Sequence, residues 1–128
     1  MKILLDTCTF LWIITDDPKL SQQARKLFID PENEVYLSVA STWEIAIKYK
    51  LGRLPLPKSP QKYIPSKRKE HGIDSLPLDE EATLYLTKLP DLHKDPFDRI
   101  LICQAIVAGY IMLTPDELIT QYSLRSVW

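Results

Sequence analysis

The chain has 128 residues, of which 45% are hydrophobic and 26% are charged, and this balance excludes an intrinsically disordered protein. Its two cysteines, Cys8 and Cys103, stand in apolar stretches without a CxxC spacing. This argues against a disulfide scaffold or a structural zinc site and favours the cytoplasm. No apolar run approaches the roughly 18 residues of a membrane span, and no signal peptide is visible. We expect one domain over residues 1–128.

Strands and helices are predicted to alternate along the chain. Short apolar or β-branched runs predict strands, and longer segments between helix-start residues and Gly or Pro predict helices. The first half is predicted to contain a strand over 2–6, helices over 7–14 and 21–29, a strand over 35–39 and helices over 44–52 and 60–70. The second half is predicted to contain a strand over 73–76, helices over 78–89 and 95–108, a strand over 110–113, a helix from 114 and an edge strand within 123–128.

The helix over 95–108 is apolar on nearly every side from Phe97 onward, which predicts that it is buried. Asp95 is its candidate N-cap and Pro96 its first helical residue. Asp98 nevertheless carries a charge into the first turn. That charge either caps the helix or faces something positive.

Alternating strands and helices predict an α/β fold, in which a parallel sheet of four to five strands is covered on both faces. In such sheets ligands bind beyond the carboxyl ends of the strands. The chain places four acids at or near these ends: Asp6, Glu44, Asp98 and Asp116. An acid directly after a buried strand, as Asp6 is, needs a charge partner or water.

Helix capping is the alternative interpretation for three of these acids. Glu44 lies three residues after Ser41 and Asp98 three residues after Asp95, which is the capping-box spacing, and Asp116 stands where a helix starts. Four carboxylates at one sheet edge repel one another, however, and make most sense around a divalent cation such as Mg²⁺ or Mn²⁺. Residue types alone leave both interpretations open.

Other chemistries have less support. There is no GxGxxG after the first strand and no GxxxxGK[ST] motif, so a nucleotide cofactor would lack its phosphate cradle. His71 and His93 have no partner at the spacing of a metal site or a catalytic triad. Cys8 lacks an evident base, so we expect no thiol nucleophile.

The positive charge is concentrated in one segment although the net charge is −1. Between Ile45 and Lys69 there is no acid, and the segment holds half of the chain's 16 Lys and Arg. These eight residues are Lys48, Lys50, Arg53, Lys58, Lys62, Lys67, Arg68 and Lys69. They form either a solvated face or a surface for nucleic-acid phosphates.

Four motifs, LLDTCTFLW, STWEIAIKYKLGRL, DPFDRILICQA and MLTPDELI, together resemble those of the PIN-domain family, specifically its VapC-type toxin ribonucleases. The resemblance implies a PIN-like α/β/α sandwich with strand order near 3-2-1-4-5. It also implies a Mg²⁺- or Mn²⁺-dependent endoribonuclease of a type II toxin–antitoxin pair. Water activated by one or two metal ions would hydrolyse RNA to 5′-phosphate and 3′-hydroxyl ends.

The resemblance also implies roles for particular residues. Its catalytic, metal-binding quartet would be Asp6, Glu44, Asp98 and Asp116. Its supporting residues would be Thr7 beside the first acid, Thr114 ahead of the last, and Asp95 and Arg99 of the DPFDR motif. For such a nuclease, the charge distribution of the chain predicts RNA phosphate contacts from Lys48, Lys50, Arg53, Lys67, Arg68 and Lys69. Neutralising the last three should weaken RNA binding and reduce its salt dependence.

Partners are implied in the same way. The family suggests a small, DNA-binding antitoxin and a homodimer. Phe10, Leu11, Trp12 and Trp43 could dock such a partner, although we favour a core position for them.

Two other function classes are weighed against the nuclease. A magnesium-dependent phosphotransfer or receiver-like domain would want a second acid two residues after Asp6, where the chain has Cys8. A non-catalytic PIN-type module that binds RNA or protein would be expected to lose one of the four acids. All four are present.

Overall fold

The computed structural model describes all residues 1–128 and contains one five-stranded sheet. All its strands pair in parallel, in the order β3-β2-β1-β4-β5. The strands are β1 (Lys2–Leu5), β2 (Glu34–Ser38), β3 (Ile73–Leu76), β4 (Ile111–Leu113) and β5 (Ser126–Val127). The predicted order and the predicted edge strand are both confirmed.

Seven helices connect and flank these strands. They are α1 (Thr7–Thr15), α2 (Gln22–Ile29), α3 (Val39–Lys50), α4 (Pro60–Glu70), α5 (Glu80–Leu84), α6 (Pro96–Ala108) and α7 (Glu117–Thr120). A 3₁₀ turn, Tyr85–Thr87, follows α5, so the helix predicted over 78–89 is shorter and less regular than expected. None of the helices has the length and apolarity required to cross a membrane.

Two hydrophobic cores cover the two faces of the sheet, because side chains along a strand alternate between its faces. Ile3 and Leu5 of β1 pack in the core shared with α1, α2 and α4, whereas Leu4 between them packs with α6 and Tyr122. All three side chains are fully buried. Burial on both faces explains the unbroken apolar run of β1.

The middle of α6 is buried on all sides, as predicted. Five consecutive residues, from Leu101 to Ala105, are buried against the second core. The helix ends at Gly109, whose φ of 74° is a left-handed conformation that glycine adopts without strain.

The start of α3 corrects the predicted capping box. Ser38, the last residue of β2, caps the helix by accepting a hydrogen bond from Ala40 N, so α3 begins at Val39. Ser41 is therefore inside the first turn, where its buried Oγ has no hydrogen-bond partner. Glu44 lies in the second turn and cannot cap the helix.

The four apolar residues considered for partner docking divide in the structure. Phe10 is fully buried, and Leu11 and Trp12 pack partly buried against the same core. Trp43 is 61% exposed and meets the ring of Phe97 edge to face, so the expectation of a core position is wrong for this residue.

Candidate metal centre

The four predicted acids are held by four elements that meet at the carboxyl edge of the sheet. Asp6 directly follows β1 and caps α1. Asp116 follows β4 and caps α7. Glu44 lies in the second turn of α3 and Asp98 in the first turn of α6. The sheet order places β1 beside both β2 and β4, which brings these elements together.

Thr114 connects the first acid to the last. Asp6 is 4% exposed, and its Oδ2 accepts a hydrogen bond of 2.5 Å from the Thr114 hydroxyl. The same hydroxyl oxygen accepts a hydrogen bond from Asp116 N at 3.1 Å. The other oxygen of Asp6 accepts one from Thr9 N at 2.7 Å. The sequence argument considered capping for Asp116 but not for Asp6, and in the structure both residues cap a helix.

Glu44 is buried between a hydroxyl and an ammonium group. Its Oε1 accepts a hydrogen bond of 2.7 Å from the Thr7 hydroxyl, and its Oε2 lies 2.6 Å from Lys48 Nζ. Thr7 is therefore a partner of the second acid, and α1 is capped by Asp6. The ion pair leaves Glu44 oriented by two donors from different helices.

Asp98 contacts a histidine that the sequence argument set aside. His93 Nε2 lies 2.8 Å from Asp98 Oδ2, and both side chains are largely buried. One potential ligand atom each from His93, Asp98 and Asp116 all lie within 4.8 Å of one another. Asp95, not Asp98, caps α6 by accepting hydrogen bonds from Phe97 N and Asp98 N. Asp95 is thus the N-cap, as predicted, and the Asp98 carboxylate contacts His93 instead of closing a capping box with Asp95.

The electrostatics show that the carboxylates crowd one another. Burial raises the pKa of Asp98 to about 6, against the opposing hydrogen bond from His93, and the charges of Asp95, Glu44 and Asp6 raise it further. Burial also raises the pKa of Asp6, and the charge of Asp116 adds to this effect. These acids thus sit in a desolvated cluster of like charge.

The donor set fits a divalent cation. Carboxylate oxygens are the hard ligands that Mg²⁺ and Mn²⁺ prefer, and a cation would offset the mutual repulsion of the acids. Asp98 and Asp116 would hold it, with Asp6 and Glu44 beside them. No geometry of coordination is implied by this fit.

Cys8 lies beside the acids but is a poor nucleophile. Burial raises the pKa of its thiol, and the charges of Asp6, Glu44 and Asp98 raise it further. Cys8 forms no disulfide, and the residue is exposed overall although its thiol is partly covered. A thiol kept protonated by neighbouring carboxylates does not favour nucleophilic catalysis, in agreement with the sequence argument.

Arg99 and Tyr122 hold the loop that carries His93. The Arg99 guanidinium donates to the carbonyls of Pro90 and His93, each at 3.1 Å. The Tyr122 hydroxyl accepts hydrogen bonds from Leu92 N and His93 N and donates to Pro90 O. The structure thus gives Arg99 contacts with the loop, including an ion pair with Asp91, and none with the four acids of the site.

We expect Tyr122→Phe to destabilise the protein by about 1–3 kcal/mol, because two backbone N–H groups and one carbonyl of this loop lose a partly buried partner. Urea unfolding followed by circular dichroism measures the change. Tyr110→Phe is the matched control, since Tyr110 is also buried but its hydroxyl bonds to no protein group. Equal stability of the two variants would mean that the Tyr122 hydroxyl does not hold this loop in place.

The six basic residues assigned to RNA do not lie together. Lys48 is at the carboxylates, and Lys50 and Arg53 follow it at the end of α3. The last turn of α4 carries Lys67, Arg68 and Lys69, and only two residues separate the end of this helix from the start of β3. These three residues therefore lie at the amino edge of the sheet, opposite the acids. Two of them are engaged within the protein: Lys67 pairs with Glu70, and Arg68 donates to Ile73 O. The six residues therefore do not form one continuous surface beside the acids, and their role in RNA binding stays a prediction.

Fold and site together define a parallel α/β protein with a cluster of acidic side chains at the carboxyl edge of its sheet. The model of the PIN domain family matches residues 3–123. The chain therefore belongs to the PIN-domain family.

Individual relatives agree with this assignment. Ribonuclease VapC16 of Mycobacterium tuberculosis is 38% identical over 72 residues, which are 53% of this chain and 51% of that protein. The chain thus matches about half the length of that relative. The structure of VapBC2 from Rickettsia felis, bound to a DNA fragment from its promoter, shares the fold with a TM-score of 0.74 at 15% identity, over 99% of this chain and 98% of that one. A toxin–antitoxin complex from Klebsiella pneumoniae does so with a TM-score of 0.65 at 14% identity, over 98% and 96% of the chains.

Proposed function

We propose that this protein is a VapC-type toxin, a metal-dependent endoribonuclease that hydrolyses RNA phosphodiester bonds in the cytoplasm. The observation that carries the proposal is the position of Asp6, Glu44, Asp98 and Asp116 at one edge of a PIN fold. Ligand atoms of Asp98 and Asp116 lie within 4.8 Å of each other, and hydroxyl and imidazole partners hold Asp6, Glu44 and Asp98. Four acids serving only as helix caps would not need these additional contacts.

The cofactor we propose is Mg²⁺, or Mn²⁺. When bound, such a cation would lower the pKa of the attacking water and neutralise negative charge that develops on the phosphate. The chain's own part is to hold the carboxylates in place. Thr114 fixes Asp6, and Thr7 and Lys48 fix Glu44. The expected products carry a 5′-phosphate and a 3′-hydroxyl.

The partner we propose is a small antitoxin, because two of the similar solved structures are complexes of the VapBC or toxin–antitoxin kind. The exposed Trp43 and its neighbour Phe97 stand next in sequence to Glu44 and Asp98. A partner that covered this aromatic pair would also cover the site. We further propose a homodimer as the state of the free toxin.

The direct test is cleavage of total cellular RNA by the purified protein with Mg²⁺, with Mn²⁺, or with EDTA, followed by sequencing of the new ends. We expect cleavage with either metal, none in EDTA, and recovery when Mg²⁺ is added back in excess. Binding of RNA without any cleavage in metal would favour a non-catalytic PIN module instead.

The positions of the basic residues lead to a prediction about RNA binding. Neutralising Lys50 and Arg53 on α3 should reduce the salt dependence of binding by about 0.7 in log–log slope for each lost phosphate contact with single-stranded RNA. Neutralising Lys67 and Lys69, at the opposite edge, should leave it unchanged, and this pair is the matched control. Fluorescence anisotropy at several salt concentrations measures both slopes. A larger reduction of the slope in the Lys67 and Lys69 variant would instead support RNA contacts from the end of α4.

A further inference from the structure

His93 lies at the candidate site although the sequence argument assigned it no role. It lies in the loop before α6, five residues from Asp98, and its Nε2 is 2.8 Å from Asp98 Oδ2. The side chains of His93 and Asp98 are only 11% and 18% exposed. A contact of this length between largely buried groups orients the carboxylate rather than merely screening it.

The loop around His93 is itself fixed. The His93 backbone N–H donates to the Tyr122 hydroxyl at 2.7 Å, and its carbonyl accepts from Arg99 at 3.1 Å. Arg99 stands one residue after Asp98, on the same helix. The backbone of the histidine and the carboxylate that it contacts are thus tied to the same turn of α6, which leaves the imidazole little freedom.

We propose that His93 is a positioning residue of the metal site: its Nε2–H donates to Asp98 Oδ2 and leaves the other oxygen of that carboxylate to bind the cation beside Asp116. This inference rests on the proposed function, since it deepens the same site. Partners that orient a ligating carboxylate typically change metal affinity by 10–100-fold when they are removed. Direct ligation by His93 is the competing arrangement.

The test measures Mn²⁺ affinity by calorimetry for the parent, His93→Ala and His93→Gln. We expect the alanine variant to bind Mn²⁺ about 10–100-fold more weakly. The glutamine variant should stay within about threefold of the parent, because its amide nitrogen can replace the Nε2 donor. His71→Ala is the control: His71 is also partly buried and pairs with an acid, Glu70, but it lies next to β3 at the opposite sheet edge, so its loss should not alter affinity.

A second measurement needs no metal. Long-range ¹H–¹⁵N spectra of the metal-free parent at pH 8 should show the His93 proton on Nε2, and a proton on Nδ1 alone would overturn the proposal, because a bare Nε2 cannot donate to Asp98. Unchanged affinity in His93→Ala would also overturn it. The proposal would also be overturned if His93→Gln bound Mn²⁺ as weakly as His93→Ala does. In that case, a visible spectrum of bound Co²⁺ that differs between His93→Gln and the parent would identify His93 as a metal ligand. If the parent protein binds no metal, the proposed function is refuted instead. The nitrogen spectra of the metal-free protein would still show whether His93 donates a hydrogen bond to Asp98.

Discussion

Replacing Asp98 by Asn should reduce RNA cleavage by more than about 100-fold, a larger loss than removing an outer partner of a metal ligand causes. Asparagine has almost the same shape and keeps an oxygen that can accept the hydrogen bond from His93. The substitution therefore removes one negative charge from the cluster and little else. A loss of activity would then report on the charge and on metal binding, not on misfolding. Cleavage of a labelled RNA at saturating Mg²⁺ measures the effect.

Asp79→Asn is the matched control for this experiment. Asp79 caps α5 by accepting a hydrogen bond from Ala82 N, and asparagine caps helices as well as aspartate does. We expect full activity from this variant. Full activity from Asp98→Asn as well would mean that the acidic cluster is not the catalytic centre, and the nuclease proposal would have to be abandoned.

The layered fold could be predicted because its signals are local. β1 is an apolar run buried on both faces, and Gly109 ends α6 at a residue that needs a positive φ. Once parallel strands are inferred, their carboxyl ends share one edge, so Asp6 and Asp116 could be placed together from their positions directly after strands. The strand order, by contrast, came from the family resemblance.

The partners of the acids could not be predicted, because they come from contacts across the chain. Thr114 reaches Asp6 over 108 residues, and His93 meets Asp98 only because a loop without periodicity is tied down by Tyr122. A histidine five residues from an aspartate has no regular spacing that would signal such a contact. The only sequence signal for this contact was that His93 shortly precedes Asp98 in the segment HKDPFD.

The start of α3 and the spread of the basic residues differ from what sequence spacing suggests, for identifiable physical reasons. Ser41 and Glu44 have capping-box spacing, but the earlier Ser38 already caps α3, and the competition between two serines is decided by where β2 ends. Lys67 and Lys69 are close in sequence to Lys50 but lie in the last turn of a second helix, α4, which follows a proline-rich connection. Proximity in sequence does not give proximity in space when this helix leads to the other sheet edge.

In EDTA at pH 7 or above, we expect Asp98→Asn to be more stable than the parent by about 1–2 kcal/mol, although it is less active. Two unit charges about 4 Å apart repel by roughly 1–4 kcal/mol, depending on the effective dielectric constant, and asparagine relieves part of this repulsion. Partial exposure of Asp98 reduces the gain. If Asp98 served only the helix dipole, the same change would instead cost a few tenths to about 1 kcal/mol.

The pH dependence of this difference follows from the raised pKa of Asp98, which is about 6 in the folded protein and about 3.9 in an unfolded chain. Below pH 4 the carboxyl is protonated in both states and its ionisation costs nothing. Between about pH 4 and 6 the unfolded chain releases the proton while the folded protein keeps it, so the parent loses stability relative to the variant. Above pH 6 the difference is constant. Urea unfolding in EDTA at pH 4, 5, 6 and 8 measures it.

Metal should reverse the order of stability. Mg²⁺ at a hundredfold excess over its Kd adds about 2.7 kcal/mol to a protein that binds it only when folded. We expect this gain in the parent, a smaller one in Asp98→Asn, and in Asp79→Asn the same gain as in the parent. Asp6→Asn is a less direct test, because Asp6 caps α1 and accepts the Thr114 hydroxyl. If Asp98→Asn is less stable than the parent in EDTA and Mg²⁺ stabilises neither protein, the acids at this edge are structural, since only a cluster that binds a cation gives opposite signs with and without it.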